Sequence, residues 1–228
     1  MKDTTLSKLG GTCSILTGVS FIVAAVVYLL LPAEQQEACR CPEKFLISTA
    51  QNPTLLIVSY LVLALGSLLG IAAVLAISES VRSANEGWVH WTSTLAIIGL
   101  AVQAVDQFRV LALNPARAAA YVQGDAVVKA ALTVPGATAY LDQQAWLRFG
   151  TVGVWVLVVS LLALRGSAWP KPLAYLGIAL AIAYWLVVVA EVIQTQSLIA
   201  ILAGVGGLIL VPIWYIWLGL RLRKAASI

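Results

Sequence analysis

Side chains able to do chemistry are scarce in this chain, and most of them lie at the edges of long apolar runs. Inside those runs the exceptions are Gln103, Asp106, Gln107 and Arg109 in one stretch, and Glu191 followed by Gln194 in another. An ionised group in hydrocarbon costs several kcal/mol unless it finds a partner, so each is a candidate for function. Asp106 and Arg109 are three residues apart, which places them on one helix face. At 1.5 Å per residue, Arg109 and Glu191 lie roughly 6 Å inside the same boundary and Asp106 about 10 Å inside. Equal depth is what pairing between different helices requires. The spacing predicts a polar network of Asp106, Arg109 and Glu191, bordered by Gln103 and Gln194. One Arg against two carboxylates leaves a surplus negative charge, which either Arg148 or a retained proton balances. Such a network handles a ligand or ion, or it fixes helix register. Near the boundary the long side chains can also snorkel to the headgroups.

Cys39-Arg40-Cys41 is the second constellation. A disulfide closing across a single residue is strained, Cys13 belongs to a distant run, and two cysteines make only half a zinc site. The pair is a redox switch, an intermolecular bridge or two incidental thiols. Mass spectrometry after alkylation without reductant separates these, since two free thiols would end the redox reading. His90 is the one histidine, so a His-rich metal centre is not expected. Neither a phosphate loop, nor a nucleotide fingerprint in a strand–turn–helix context, nor a nucleophile elbow is present. The expectation is a protein without enzymatic activity, cofactor or metal.

The elements that position these residues are set by the apolar runs. Hydrophobic residues make up 61% of the 228 and charged ones 11%, against roughly a quarter charged in soluble domains. The mean hydropathy is +0.95. A helix needs about 20 apolar residues to cross roughly 30 Å of hydrocarbon. Six stretches qualify: about Leu9–Leu31, Thr54–Ser78, Val89–Leu113, Trp146–Leu164, Pro172–Ile193 and Leu198–Leu220. The fold class predicted is all-α, a polytopic transmembrane bundle of about six spans forming one domain over residues 1–228. The first run is longer than the roughly 7–15 residues of a signal peptide's apolar region, and is read as an uncleaved span.

Basic residues orient the bundle. With the N-terminus inside, Lys2, Lys8, Arg82, Arg165, Lys171, Arg221, Arg223 and Lys224 gather on the inner side. Arg40, Lys44, Arg109, Arg117, Lys129 and Arg148 face out, mostly in longer loops where the charge rule is weak. Both termini are therefore expected in the cytoplasm, with Trp88, Trp91, Trp169, Trp214 and Trp217 as an inner aromatic belt. The net charge of +4 follows from topology, and no nucleic-acid partner is expected. Two outer segments are long. Pro32–Pro53 is a polar loop. Asn114–Ala145 holds a predicted interfacial helix, Ala116–Leu132, with Tyr121, Val128 and Leu132 on one side. Gln194–Ser197 is so short that the last two spans form a tight hairpin. Small residues recur at four-residue spacing as Gly10, Ser14 and Gly18, as Gly66 and Gly70, and as Ala203 and Gly207. They serve packing within the bundle, or a homo-oligomer or other protein partner. Pro212 is expected to kink the sixth span.

The chain opens its first span with Leu9-Gly10-Gly11 and its fifth with Pro172-Leu173-Ala174-Tyr175-Leu176-Gly177-Ile178. Gly206-Gly207, Trp214-Tyr215-Ile216-Trp217-Leu218-Gly219 and a basic tail follow. In this layout it resembles a bacterial family of six-span inner-membrane proteins known only as a domain of unknown function. The resemblance covers nearly the whole chain and implies a plasma-membrane protein, but brings no catalytic residues. The loop bearing Cys39 and Cys41 departs from the pattern. Three functions remain open: a non-enzymatic envelope or membrane-complex component, a small-solute or ion transporter or receptor built on the polar network, and a membrane enzyme. Missing nucleophile–base pairs disfavour the last.

Overall fold

A computed structural model describes residues 4–36, 41–134 and 140–226, and every regular element among them is helical. Six helices are long and apolar enough to cross a membrane. Helix α1 is Thr4–Leu30, α3 Thr54–Val81, α4 Glu86–Gln123, α6 Trp146–Arg165 and α7 Lys171–Val192. The sixth span is composite: α8, Gln196–Gly204, runs into a π-helical stretch, Val205–Leu210, and then into α9, Val211–Ala225. A short α2, Pro42–Gln51, and α5, Ala126–Thr133, lie between spans. The spans form a ring in which α1 packs between α9 and α3, α4 lies between α3 and α6, and α7 closes from α6 onto the sixth span. The start of α1 and the end of α9 share one side, where Gly11 lies against Gly219 and Arg223.

Pro212, expected to kink the sixth span, stands where the helical register changes. Lacking an N–H, proline removes a rung of the helical ladder. The residue before it, Val211, donates to Gly206 O, one position further back than an α-helix would allow. A π stretch therefore runs up to Pro212, an irregularity of a kind often found at functional sites.

The core is aromatic. Trp155 and Trp214 are fully buried and meet edge to face, with Trp169 and Tyr215 against Trp214. Of the five tryptophans expected as an interfacial belt, Trp88, Trp91 and Trp217 are exposed, whereas Trp169 and Trp214 are core. Trp214 shares helical period with Val211, Leu218 and Leu222, so it faces inward. The indole N–H groups need acceptors when buried. Trp155 Nε1 donates to Ser78 Oγ at 2.9 Å, which lies 2.6 Å from Ser93 Oγ, and Trp169 Nε1 donates to Ser80 Oγ at 3.1 Å. Ser78→Ala leaves the Trp155 N–H unpaired and is expected to cost about 1 kcal/mol, read as a lower melting temperature in detergent.

The small residues of α1 and α3 are spent inside the bundle. Gly18 lies under Pro212 O, Ser14 Oγ donates to Tyr215 O at 2.6 Å, and Gly66 and Gly70 receive Ser20 and Leu100. Gly204 and Gly207, by contrast, have nothing within 4 Å of where a Cβ would stand.

On the side away from the termini, α4 corrects the predicted boundary at Asn114. It continues through Pro115 to Gln123, 38 residues or about 57 Å at 1.5 Å per residue. The alanine-rich run after Pro115 favours helix, and Ala118 and Tyr121 are buried in a cluster with Leu46 of α2. The break falls instead at Gly124, after which Asp125 caps α5 by accepting from Val128 N at 2.9 Å. The loop read as polar holds α2, opened by Pro42 at its first turn. Together α2, the end of α4 and α5 form a cap. Cys39 lies outside the described residues. Cys41, at the start of α2, is disulfide-bonded, and Cys13 is a free, buried thiol.

Candidate functional site

Asp106 is fully buried at the base of the cap. Its Oδ1 accepts from Leu141 N at 2.6 Å and its Oδ2 from Asp142 N at 3.1 Å. A carboxylate bound by two amides is satisfied without a cation, because each bond is charge-assisted. Asp142 continues the chain of contacts: its Oδ2 accepts from Arg148 N at 3.0 Å and its carbonyl from Ala145 N at 2.9 Å. Asp106 therefore fixes the loop that aims α6 into the bundle.

The other predicted site residues divide into groups. Arg109 lies one turn beyond Asp106 and is exposed, and Gln103 is half-buried on the same helix. Glu191 and Gln194 meet at the end of α7, where the Gln194 side chain donates to Glu191 O at 2.6 Å and Gln194 takes a left-handed φ of 55°. Helix α6 stands between α4 and α7, so Asp106 and Arg109 lie on one flank of it and Glu191 on the other.

Arg148, in the first turn of α6, has different surroundings. Its guanidinium sits 5.3 Å from the Phe149 ring centre, and that ring meets Tyr184 edge to face at 5.2 Å. Its Nε is buried without an acceptor. At the other end of the bundle Arg82 bonds Glu79 and Glu86. Tyr184 is buried against Phe149. Tyr215, 2% exposed, leaves its hydroxyl unpaired. Gly150, two residues after Arg148, is buried, with no atom within 4 Å of a Cβ position.

Sequence reasoning singled out Arg148 but missed Tyr215. Its signal was faint, since a tyrosine inside an apolar run reads as bulk hydrophobe until its hydroxyl is seen to lack a partner.

Six membrane-length helices in a ring, closed on one side by short helices, define a multi-pass membrane protein. The chain belongs to the family described as domain of unknown function DUF4386, whose model matches residues 10–221. No curated protein and no solved structure matches the chain.

Proposed function

We propose that the protein is a non-enzymatic component of a bacterial plasma-membrane complex, with both termini cytoplasmic and the cap outside, where it meets a protein partner. The observation that carries this reading is α5. None of its residues is buried, and Val127, at 76% exposure, and Val134 just after it, at 56%, present apolar surface. Helix α4 enters at exposed Trp88 and Trp91, so the length in excess of about 30 Å projects on the cap side and carries α5 with it. Arg117 Nη2 donates to Leu132 O at 3.3 Å, folding α5 back along that projection. Apolar side chains above a membrane surface fit a partner better than solvent.

A photo-crosslinking residue at Val127 tests the reading. A protein adduct is expected there, and only lipid adducts from the same residue at the exposed Val189 of α7. If position 127 yields no protein adduct, the reading fails. For orientation, Thr133→Cys should react with a membrane-impermeant maleimide in intact cells, and Lys224→Cys only after permeabilisation.

A second reading is a receptor or transporter of a small solute or ion. It is favoured by the guanidinium of Arg148, which has no carboxylate partner among the described residues. Asp106, Arg109, Glu191, Gln103 and Gln194 would contribute the remainder of its polar network. Single and double replacement of Arg109 and Glu191 measures whether those two flanks are coupled.

A further inference from the structure

Glycine weakens a helix, and inside a bundle that loss is ordinarily offset by the close helix contact a missing side chain permits. Six span glycines follow the rule: a Cβ at Gly10, Gly18, Gly66, Gly99, Gly177 or Gly219 would stand within 3.0 Å of a neighbouring atom. The glycines of the sixth span do not. A Cβ at Gly204 or Gly207 would meet nothing within 4 Å, and one at Gly206 would meet Ala183 Cβ at an ordinary 3.8 Å. Close packing therefore does not account for them. They coincide with the π stretch Val205–Leu210, where Val211 N donates to Gly206 O. Pro212 follows, with no N–H to give. Glycine, proline and a π register each loosen the helical ladder, and sharp helix kinks concentrate at such places.

The two sides of this joint are held differently. Beyond it, α9 is fixed to α1: Trp214, Tyr215 and Leu218 are buried, and Ser14 Oγ donates to Tyr215 O at 2.6 Å. Before it, α8 packs chiefly on α7, while the contacts of α1 with the sixth span fall mainly on α9. None of the α8 side chains that the structure describes is buried, and Leu198 and Ile201 are exposed. At its other end α8 leaves α7 through a corner at Gln194, whose φ is 55°. The ring is thus closed firmly by α1 and α9 on the termini side. On the cap side α8 leans on α7 and leaves α1.

We propose that α8 is a hinged flap, which swings about residues 204–210 between α7 and α1 and so opens or closes the cap-side half of the ring toward the bilayer. From Gly207 to Gln196 the arm is about 16 Å at 1.5 Å per residue, so a change in kink of about 20° carries its tip through roughly 5 Å. The opening faces hydrocarbon rather than water, because the exposed side chains of α8 at Leu198 and Ile201 are apolar. This motion is independent of partner binding at α5, and each can fail while the other stands.

Distance measurement between spin labels tests it, on the full chain in lipid nanodiscs. Labels go on Leu29→Cys of α1 and Ile201→Cys of α8, both exposed positions, with Cys13→Ser as background. Labelling without reductant keeps the Cys41 disulfide closed. Two populations about 5 Å apart are expected, against a single narrow one for a control pair at Leu16→Cys of α1 and Leu220→Cys of α9. Gly204→Ala with Gly207→Ala should reduce the minor population roughly tenfold and melt no lower than the parent, since alanine is the stronger helix former at both positions. Should the double variant fail to fold, Gly204→Ala alone decides. A distribution for the α1–α8 pair no wider than the control, or two populations that the alanines leave unchanged, overturns the proposal.

Discussion

Gly219→Val is expected to prevent the bundle from assembling. A Cβ at position 219 would stand 2.5 Å from Gly11 O, 2.7 Å from Ile15 Cγ1 and 2.9 Å from Ile15 N. Two of those atoms are backbone of α1, which has no rotamer to change, so α1 and α9 must separate. The separation propagates because α1 is wedged between α9 and α3, so closely that a Cβ at Gly10 would stand 3.1 Å from Ala72 O and one at Gly18 3.0 Å from Pro212 O. Overpacking against side chains typically costs about 1–3 kcal/mol, and a clash with backbone belongs above that range. Size-exclusion profiles in detergent should show aggregate in place of a single species. Gly204→Ala is the control. Its site is open and its φ and ψ of −61° and −59° are helical, so it should be neutral or stabilising by up to about 1 kcal/mol. Equal damage from both variants would refute the packing argument.

Asp106→Ala is expected to release the loop between the cap and α6. The substitution leaves the amides of Leu141 and Asp142 without their buried acceptor. Removing a charged acceptor costs about 1–3 kcal/mol for each buried donor stranded, and less here because Leu141 is exposed and water can reach the loop. The damage should be local. Asp142 then loses its fixed position and with it the bond to Arg148 N that holds the first turn of α6. Chymotrypsin should cut near Tyr140 and Leu141 at least tenfold faster than in wild type, while the Trp155–Trp214 core keeps its near-ultraviolet dichroism. Asp106→Asn retains one acceptor oxygen and should fall between. Cleavage unchanged in Asp106→Ala would mean that the two amide bonds do not hold this loop.

Much of the architecture was legible because the membrane imposes it. A span must satisfy its backbone internally and reach about 30 Å, so six apolar runs could only become six helices. Where the sequence misled, a local signal competed with a distant contact. The third span was expected to stop at Leu113, yet Leu46, arriving from α2, packs with buried Ala118 and Tyr121 on a helix α4 that runs on to Gln123. Trp214 sits in the same aromatic-rich segment as Trp217, but inward and outward faces of α9 separate them. Pro32–Pro53 looked polar throughout because α2 buries only Leu46 and Thr49.

The scarce ionisable residues that first suggested chemistry were identifiable from composition alone, since a charge in an apolar run stands out at any position. Their roles were not, because side chains at equal depth can point to different neighbours. Sequence placed Asp106, Arg109 and Glu191 at similar heights. The tertiary structure set α6 between their helices and gave Asp106 to two backbone amides. It also set the Arg148 guanidinium over the Phe149 ring and left its Nε without an acceptor. The number and length of the spans follow from the thickness of a bilayer, which acts on each segment separately. The partners of each buried polar group follow from the order of helices around the ring, which no single segment contains.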